Sequence, residues 1–145
     1  MTCGTSEAQI IARTALALVG TPFRLHGRDP NHGLDCIGLC ALCVKAAGRN
    51  SDIPNGYALR GGDAEKIRHC IRHLGFRDIA HFSDGPDAPW NAGDIVLTRP
   101  APLQLHLLVH TELGMVHAHA GLRRVVCTPG RLEGRILSTF RILES

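Results

Sequence analysis

Cys36 stands where a glycine-bearing turn, Gly33-Leu34-Asp35, runs into the nearly all-apolar stretch Ile37 to Ala47. A helix beginning there would set its sulfur among unpaired backbone N–H groups at the positive end of the helix dipole. Those surroundings favour an anion, so they are expected to lower the thiol pKa and make a nucleophile. Downstream, Leu105-His106-Leu107-Leu108-Val109-His110 and Met115-Val116-His117-Ala118-His119 carry imidazoles on strand-like runs. A thiol paired with an imidazole, itself oriented by another polar group, is the apparatus of a cysteine hydrolase.

Other chemistries compete for the same residues. Cys36 could be a buried structural cysteine with Asp35 as an ordinary N-cap. Cys36, Cys40 and Cys43 also read as C-x3-C-x2-C, an iron–sulfur spacing. On a helix, however, they form one stripe at i, i+4 and i+7, which suits core packing better. His106-x3-His110 and His117-x-His119 could supply zinc ligands, though no pair of C-x2-C hooks accompanies them. Gly38, in the first turn of the helix, costs about 1 kcal/mol relative to alanine, which points to a close approach by backbone or substrate.

The elements needed to position these groups are legible. Ser6-Glu7-Ala8-Gln9 is a capping box, and the apolar positions Ala8, Ile11, Ala12, Ala15 and Val19 continue at helical spacing until Gly20 and Pro22. Residues 21–34 form a loop. The helix from Asp35 to about Ala47 ends at Gly48, and its apolar circumference places it centrally. After a polar loop with Pro54, Gly56, Gly61 and Gly62, Asp63 caps a third helix bearing Ile67, Cys70, Ile71 and Leu74, closed by Gly75. Residues 81–93 are loop again. Strands are expected at Ile95–Thr98, Leu105–His110, Met115–His119, Arg124–Cys127 and Arg135–Ile142, with turn residues between them. Helices first and strands second imply an α+β fold with an antiparallel sheet. His106, Leu108 and His110 would share one strand face, and His117 and His119 another, across a Glu112-Leu113-Gly114 turn.

At 145 residues the chain is expected to be one domain, 1–145. Sixteen basic and 13 acidic residues give a net charge of only +3, and the arginines are scattered. Neither that balance nor the scarcity of aromatics suits nucleic-acid binding. No apolar run reaches membrane-spanning length, and the N-terminus lacks the pattern of a signal peptide. Cytoplasmic synthesis is therefore expected, with Cys3, Cys36, Cys40, Cys43, Cys70 and Cys127 as free thiols.

Three motifs in order resemble the NlpC-type cell-wall peptidases of the papain-like superfamily. Gly20-Thr21-Pro22-Phe23-Arg24 with Gly27, Asp29-Pro30 and Gly33 is similar to the loop leading to the nucleophile. Asp35-Cys36-Ile37-Gly38-Leu39 is similar to the nucleophile motif. Asn91-Ala92-Gly93-Asp94-Ile95-Val96, then His106, then Val116-His117-Ala118 resemble the glycine-aspartate strand and the two later catalytic positions. The resemblance implies a papain-like NlpC-type fold whose N-terminal helices, the central one bearing the nucleophile, pack on a C-terminal antiparallel β-sheet. It implies Cys36 as nucleophile, His106 as general base, and His117 (favoured over His119) as the residue orienting His106. The backbone N–H of Cys36 would help form the oxyanion hole, with Asp35, Phe23 and Ile37 at the oxyanion and substrate positions.

The reaction implied is amide hydrolysis through a thioester, without metal or cofactor, on peptidoglycan stem peptides between D-γ-glutamate and a diamino acid. Phe23 stands where many relatives have tyrosine, and Ile37 where serine is common. A tryptophan-glycine-glycine approach is replaced by Leu25-His26-Gly27-Arg28. The resemblance further suggests a phage tail or gene-transfer particle as carrier, with proteins of that particle as partners. The alternatives are a non-catalytic structural tail component of the same fold, a zinc-binding domain, and an acyltransferase or amidase using the same chemistry.

Overall fold

The computed structural model describes residues 6–50, 63–79, 90–129 and 135–143. Cys3, Gly130, the polar loop at Pro54 to Gly62 and the 81–89 part of the second loop lie outside the described residues.

The first helix, α1 (Glu7–Ala17), starts at the expected capping box. Ser6 Oγ accepts the Gln9 N–H, and Gln9 Oε1 accepts the Ser6 N–H, both at 3.1 Å. Two short strands, β1 (Arg28–Asp29) and β2 (Gly33–Leu34), pair antiparallel within the loop that follows. The central helix α2 (Cys36–Ala46) begins at Cys36 itself, with Asp35 as N-cap. Asp63 caps α3 (Ala64–His73), which carries Glu65 in its first turn and Arg72 and His73 in its last, the charges a helix dipole favours.

The strands are β3 (Phe76–Ile79), β4 (Ile95–Ala101), β5 (Gln104–Thr111), β6 (Gly114–His119), β7 (Arg124–Thr128) and β8 (Arg135–Ile142). They form one antiparallel sheet in the order β3-β8-β4-β5-β6-β7. The five expected strands are all present. β4 runs three residues past Thr98, through Pro100, because its register shifts after Thr98 and a proline is tolerated where the regular ladder has stopped. β3 was not anticipated.

Strand alternation gives the sheet two different faces. Leu97, Leu105, Leu107, Val109, Val116, Ala118 and Val125 belong to the main core, together with Ile11 of α1, Cys36, Ile37, Leu39 and Val44 of α2, and Ile67 and Ile71 of α3. Val96, Leu108, Met115 and Ile136 form a smaller cluster beneath Trp90. The helices thus cover the first face, and the second carries the side chains at even positions of β5.

Glycines let the loop press directly on the start of α2. A Cβ on Gly38 would stand 2.0 Å from the Gly27 carbonyl oxygen, and one on Gly27 would stand 2.1 Å from that of Gly33. The close approach suggested by Gly38 is therefore made by backbone.

Candidate active site

The start of α2 is fixed by a buried carboxylate. Asp35 accepts the Gly38 N–H at 2.8 Å, the His26 N–H at 2.9 Å and the Arg28 guanidinium at 3.0 Å. One residue therefore caps the helix, ties the preceding loop to it and neutralises its own charge against Arg28. His26 adopts φ 61°, a left-handed conformation that costs a non-glycine residue and is held here by its bond to Asp35.

Cys36, the next residue, is buried, and backbone N–H groups of Leu107, Cys36 and Ile37 approach its sulfur. Those three donors favour a thiolate. They are outweighed: burial, and then the negative charge of Asp35, push the thiol up to about 12. The depressed pKa expected from the helix start is thus overturned. A helix terminus supplies partial charges, whereas full burial removes the water that would solvate a whole one.

The histidines gather on the other face of the sheet. His106 Nε2 and His117 Nδ1 are 2.9 Å apart, and His117 Nε2 is 2.8 Å from Thr128 Oγ1. The two rings meet edge to face with centroids 5.0 Å apart. Burial first, then the positive charges that His117 and His119 would carry, lower the pKa of His106 to about 3. The Cys36 thiol and the His106 imidazole are therefore both neutral in the resting protein. Proton transfer would have to accompany attack, rather than precede it as in a preformed ion pair.

Cys36 and His106 are neighbours through the backbone and not through a hydrogen bond. The sulfur meets the N–H of Leu107, one residue along from His106. The β5–β6 register runs through Val109–Val116, His110–Met115 and Thr111–Gly114 and reaches no farther toward Leu107. The thiol thus meets β5 from the helical side, while alternation sends His106 to the other. A cavity of about 460 Å³ on that side is lined by His106, His117, His119, Thr98, Gln104 and Thr128, among others, and not by Cys36. Among the described residues no hydrogen bond joins Cys36 to His106.

The remaining expected residues fall as follows. Ile37 is buried in the main core, so only its backbone N–H is presented to the sulfur. Asp35 is occupied by the loop, which makes its contribution positional. Phe23 packs partly buried against the core, and its N–H donates to the Arg123 carbonyl at 2.9 Å. His119 does not bond to His106; its Nδ1 accepts the Leu122 N–H. Cys36, Cys40, Cys43, Cys70 and Cys127 are free thiols, and no group of three or more His, Cys, Asp or Glu suited to a metal occurs among the described residues. Sequence reasoning missed Thr128 and Arg28. Neither belongs to a periodic pattern, and only the β6–β7 pairing brings Thr128 beside His117.

No family model and no curated protein matches this sequence. Solved structures do match in shape. NlpC2 from Trichomonas vaginalis superimposes with a TM-score of 0.64 at 14% identity, covering 100% of this chain and 49% of that one. The peptidoglycan hydrolase RipB from Mycobacterium tuberculosis gives 0.59 at 22% identity, covering 96% and 66%. The P60 domain of an antigen from M. avium subspecies paratuberculosis gives 0.59 at 21%, covering 96% of each chain. The fold is the NlpC/P60 fold. This chain spans about half the length of the Trichomonas structure. What the NlpC/P60 structures share with it is the fold, helices packed on an antiparallel sheet, as expected from sequence.

Proposed function

We propose that this chain is a cysteine peptidase acting on peptidoglycan stem peptides, with Cys36 as nucleophile, His106 as base and His117 as the group that orients His106. The observation that carries the reading is the hydrogen-bonded series His106–His117–Thr128, built one residue from the backbone amide that meets the Cys36 sulfur. Architectural likeness to peptidoglycan hydrolases, one of them RipB, supports the substrate class.

In this reading the His106 ring, which no hydrogen bond joins to Cys36 in the resting protein, comes within reach of the thiol when substrate binds, and Cys36 Sγ attacks the amide carbonyl as its proton passes to His106. The tetrahedral oxyanion takes backbone N–H groups at the start of α2. His106 then returns the proton to the departing amine, leaving a thioester. Water, deprotonated by His106, hydrolyses it and frees the thiol. The bond between D-γ-glutamate and a diamino acid is the proposed point of cleavage, and a phage tail or gene-transfer particle the proposed carrier. Both finer statements rest on the sequence resemblance.

A second reading, the same fold serving without hydrolysis, is favoured by one observation: the Cys36 thiol is buried, with a pKa raised to about 12. One experiment separates the two. Purified muropeptides are incubated with wild-type and Cys36→Ala protein and analysed by mass spectrometry. The peptidase reading expects new amine and carboxyl termini with wild type alone. Intact muropeptides in both incubations, or equal cleavage in both, would overturn it.

A further inference from the structure

His119 lies two residues from His117 on β6 and lines the same cavity, yet it stands outside the His106–His117–Thr128 series. Its Nδ1 accepts the backbone N–H of Leu122 at 3.0 Å. A backbone amide can only donate, so Nδ1 holds a lone pair and the neutral ring carries its proton on Nε2. Gly121 closes the turn against the ring, where a Cβ would come within 3.0 Å of His119 Cε1. The turn thus fixes the tautomer of His119 and braces one side of its ring.

The cavity lining decides what such a donor could meet. Pro100, Leu108 and Leu122 are apolar, Thr98 and Gln104 are neutral hydrogen-bonding groups, and among the described residues no Asp, Glu, Lys or Arg lines the space. A carboxylate entering it would lose water without gaining a fixed countercharge from these residues. An amide carbonyl needs only a donor.

Resting on the peptidase reading above, we propose that His119 is a specificity residue whose Nε2–H donates to an uncharged amide carbonyl of the bound peptide. The cavity therefore selects an amidated carboxyl group over a free carboxylate.

The test uses binding, so it does not depend on turnover. Two synthetic peptides containing a D-γ-glutamyl linkage, identical except for an α-carboxamide or an α-carboxylate, are titrated calorimetrically into Cys36→Ala protein at mildly alkaline pH. The carboxamide peptide is expected to bind more tightly. Adding His119→Phe should weaken it roughly three- to tenfold, the range for one neutral hydrogen bond, and erase the preference. His119→Gln, which keeps an N–H donor, should restore most of both. Nitrogen-15 NMR of the otherwise unmutated protein should show His119 as the Nε2–H tautomer. Equal or tighter binding of the carboxylate peptide, an affinity indifferent to His119→Phe, absence of binding by both peptides, or an Nδ1–H tautomer would each overturn the proposal. Failure of wild type to cleave muropeptides would remove the peptidase reading and leave this preference measurable.

Discussion

His106 Nε2 and His117 Nδ1, 2.9 Å apart, must share a single proton when both rings are neutral. The direction of that bond matters. Only if His106 donates from Nε2 does its Nδ1 keep the lone pair that could take a thiol proton. His117 then carries its own proton on Nε2, where Thr128 Oγ1 can accept it at 2.8 Å. The same direction is required once His106 is protonated, since both its nitrogens then donate.

On the proposed peptidase reading, removing His106 should therefore be more damaging than removing His117, which supports it. His106→Ala is expected to lower kcat/KM on muropeptides by about 10²–10⁴-fold, the usual worth of a positioned acid–base group. His117→Ala should fall short of that loss and act mainly on kcat. Steady-state kinetics of the two variants checks the ranking.

Alkylation of Cys36 should be slow at neutral pH and accelerate with alkali. Burial and Asp35 keep the thiol protonated until pH approaches about 12, and the reactive species is the thiolate. Iodoacetamide rates at Cys36, followed by mass spectrometry across pH, should rise without a plateau near neutrality. A plateau there would mean a preformed thiolate. The same shift makes the protonated thiol a stabilising element below its ordinary value of 9.0, lost as pH climbs toward 12.

Acid should unsettle the histidine side of the sheet. His106 is held neutral with a pKa near 3, against an ordinary 6.5, by burial and then by the charges of His117 and His119. Its contribution to stability is full above 6.5 and is lost as pH falls toward 3. Urea unfolding of wild type and His106→Gln should show a steeper decline for wild type over that interval.

Gly38→Ala should destabilise the protein by about 1–3 kcal/mol, the cost of forcing atoms into a filled space. The new methyl would collide with the Gly27 carbonyl, a backbone atom that cannot swing aside. Denaturant midpoints give the stability change. Cys36 reactivity should change with it, because the collision occurs in the helix turn that carries the sulfur.

Asp35→Ala should cost roughly 3–5 kcal/mol, since it strands the partly buried Arg28 and removes the cap of α2. Thermal unfolding measures the loss. Arg28→Ala should be damaging as well, because it leaves the buried carboxylate without its cation.

Much of this architecture could be read from local pattern. Caps and breakers delimited α1, α2 and α3, and apolar alternation marked β4 to β8. β3 escaped because Phe76–Ile79 is four residues long and becomes a strand only through its distant partner β8. The short β1 and β2 likewise exist as a pair held against α2. For the site, residue type and spacing singled out Cys36, His106 and His117, and the structure bonds the two histidines to each other. What the sequence could not convey was depth. The helix start argued for an acidic thiol, but the sulfur is enclosed, and desolvation outweighs the nearby N–H groups. Thr128 and Arg28 act through contacts that exist only after distant segments meet.

β8 is the last strand in the chain, yet it sits between β3 and β4. The consecutive hairpins β4 to β7 close short loops, so they can zip together early in folding. Among the described residues the Phe76–Ile79 segment has β8 as its sole neighbour in the sheet, and that pairing must close a far longer loop, at a higher cost in chain entropy. A refolding chain is therefore expected to assemble its histidine cluster before it finishes the sheet on the side next to β3.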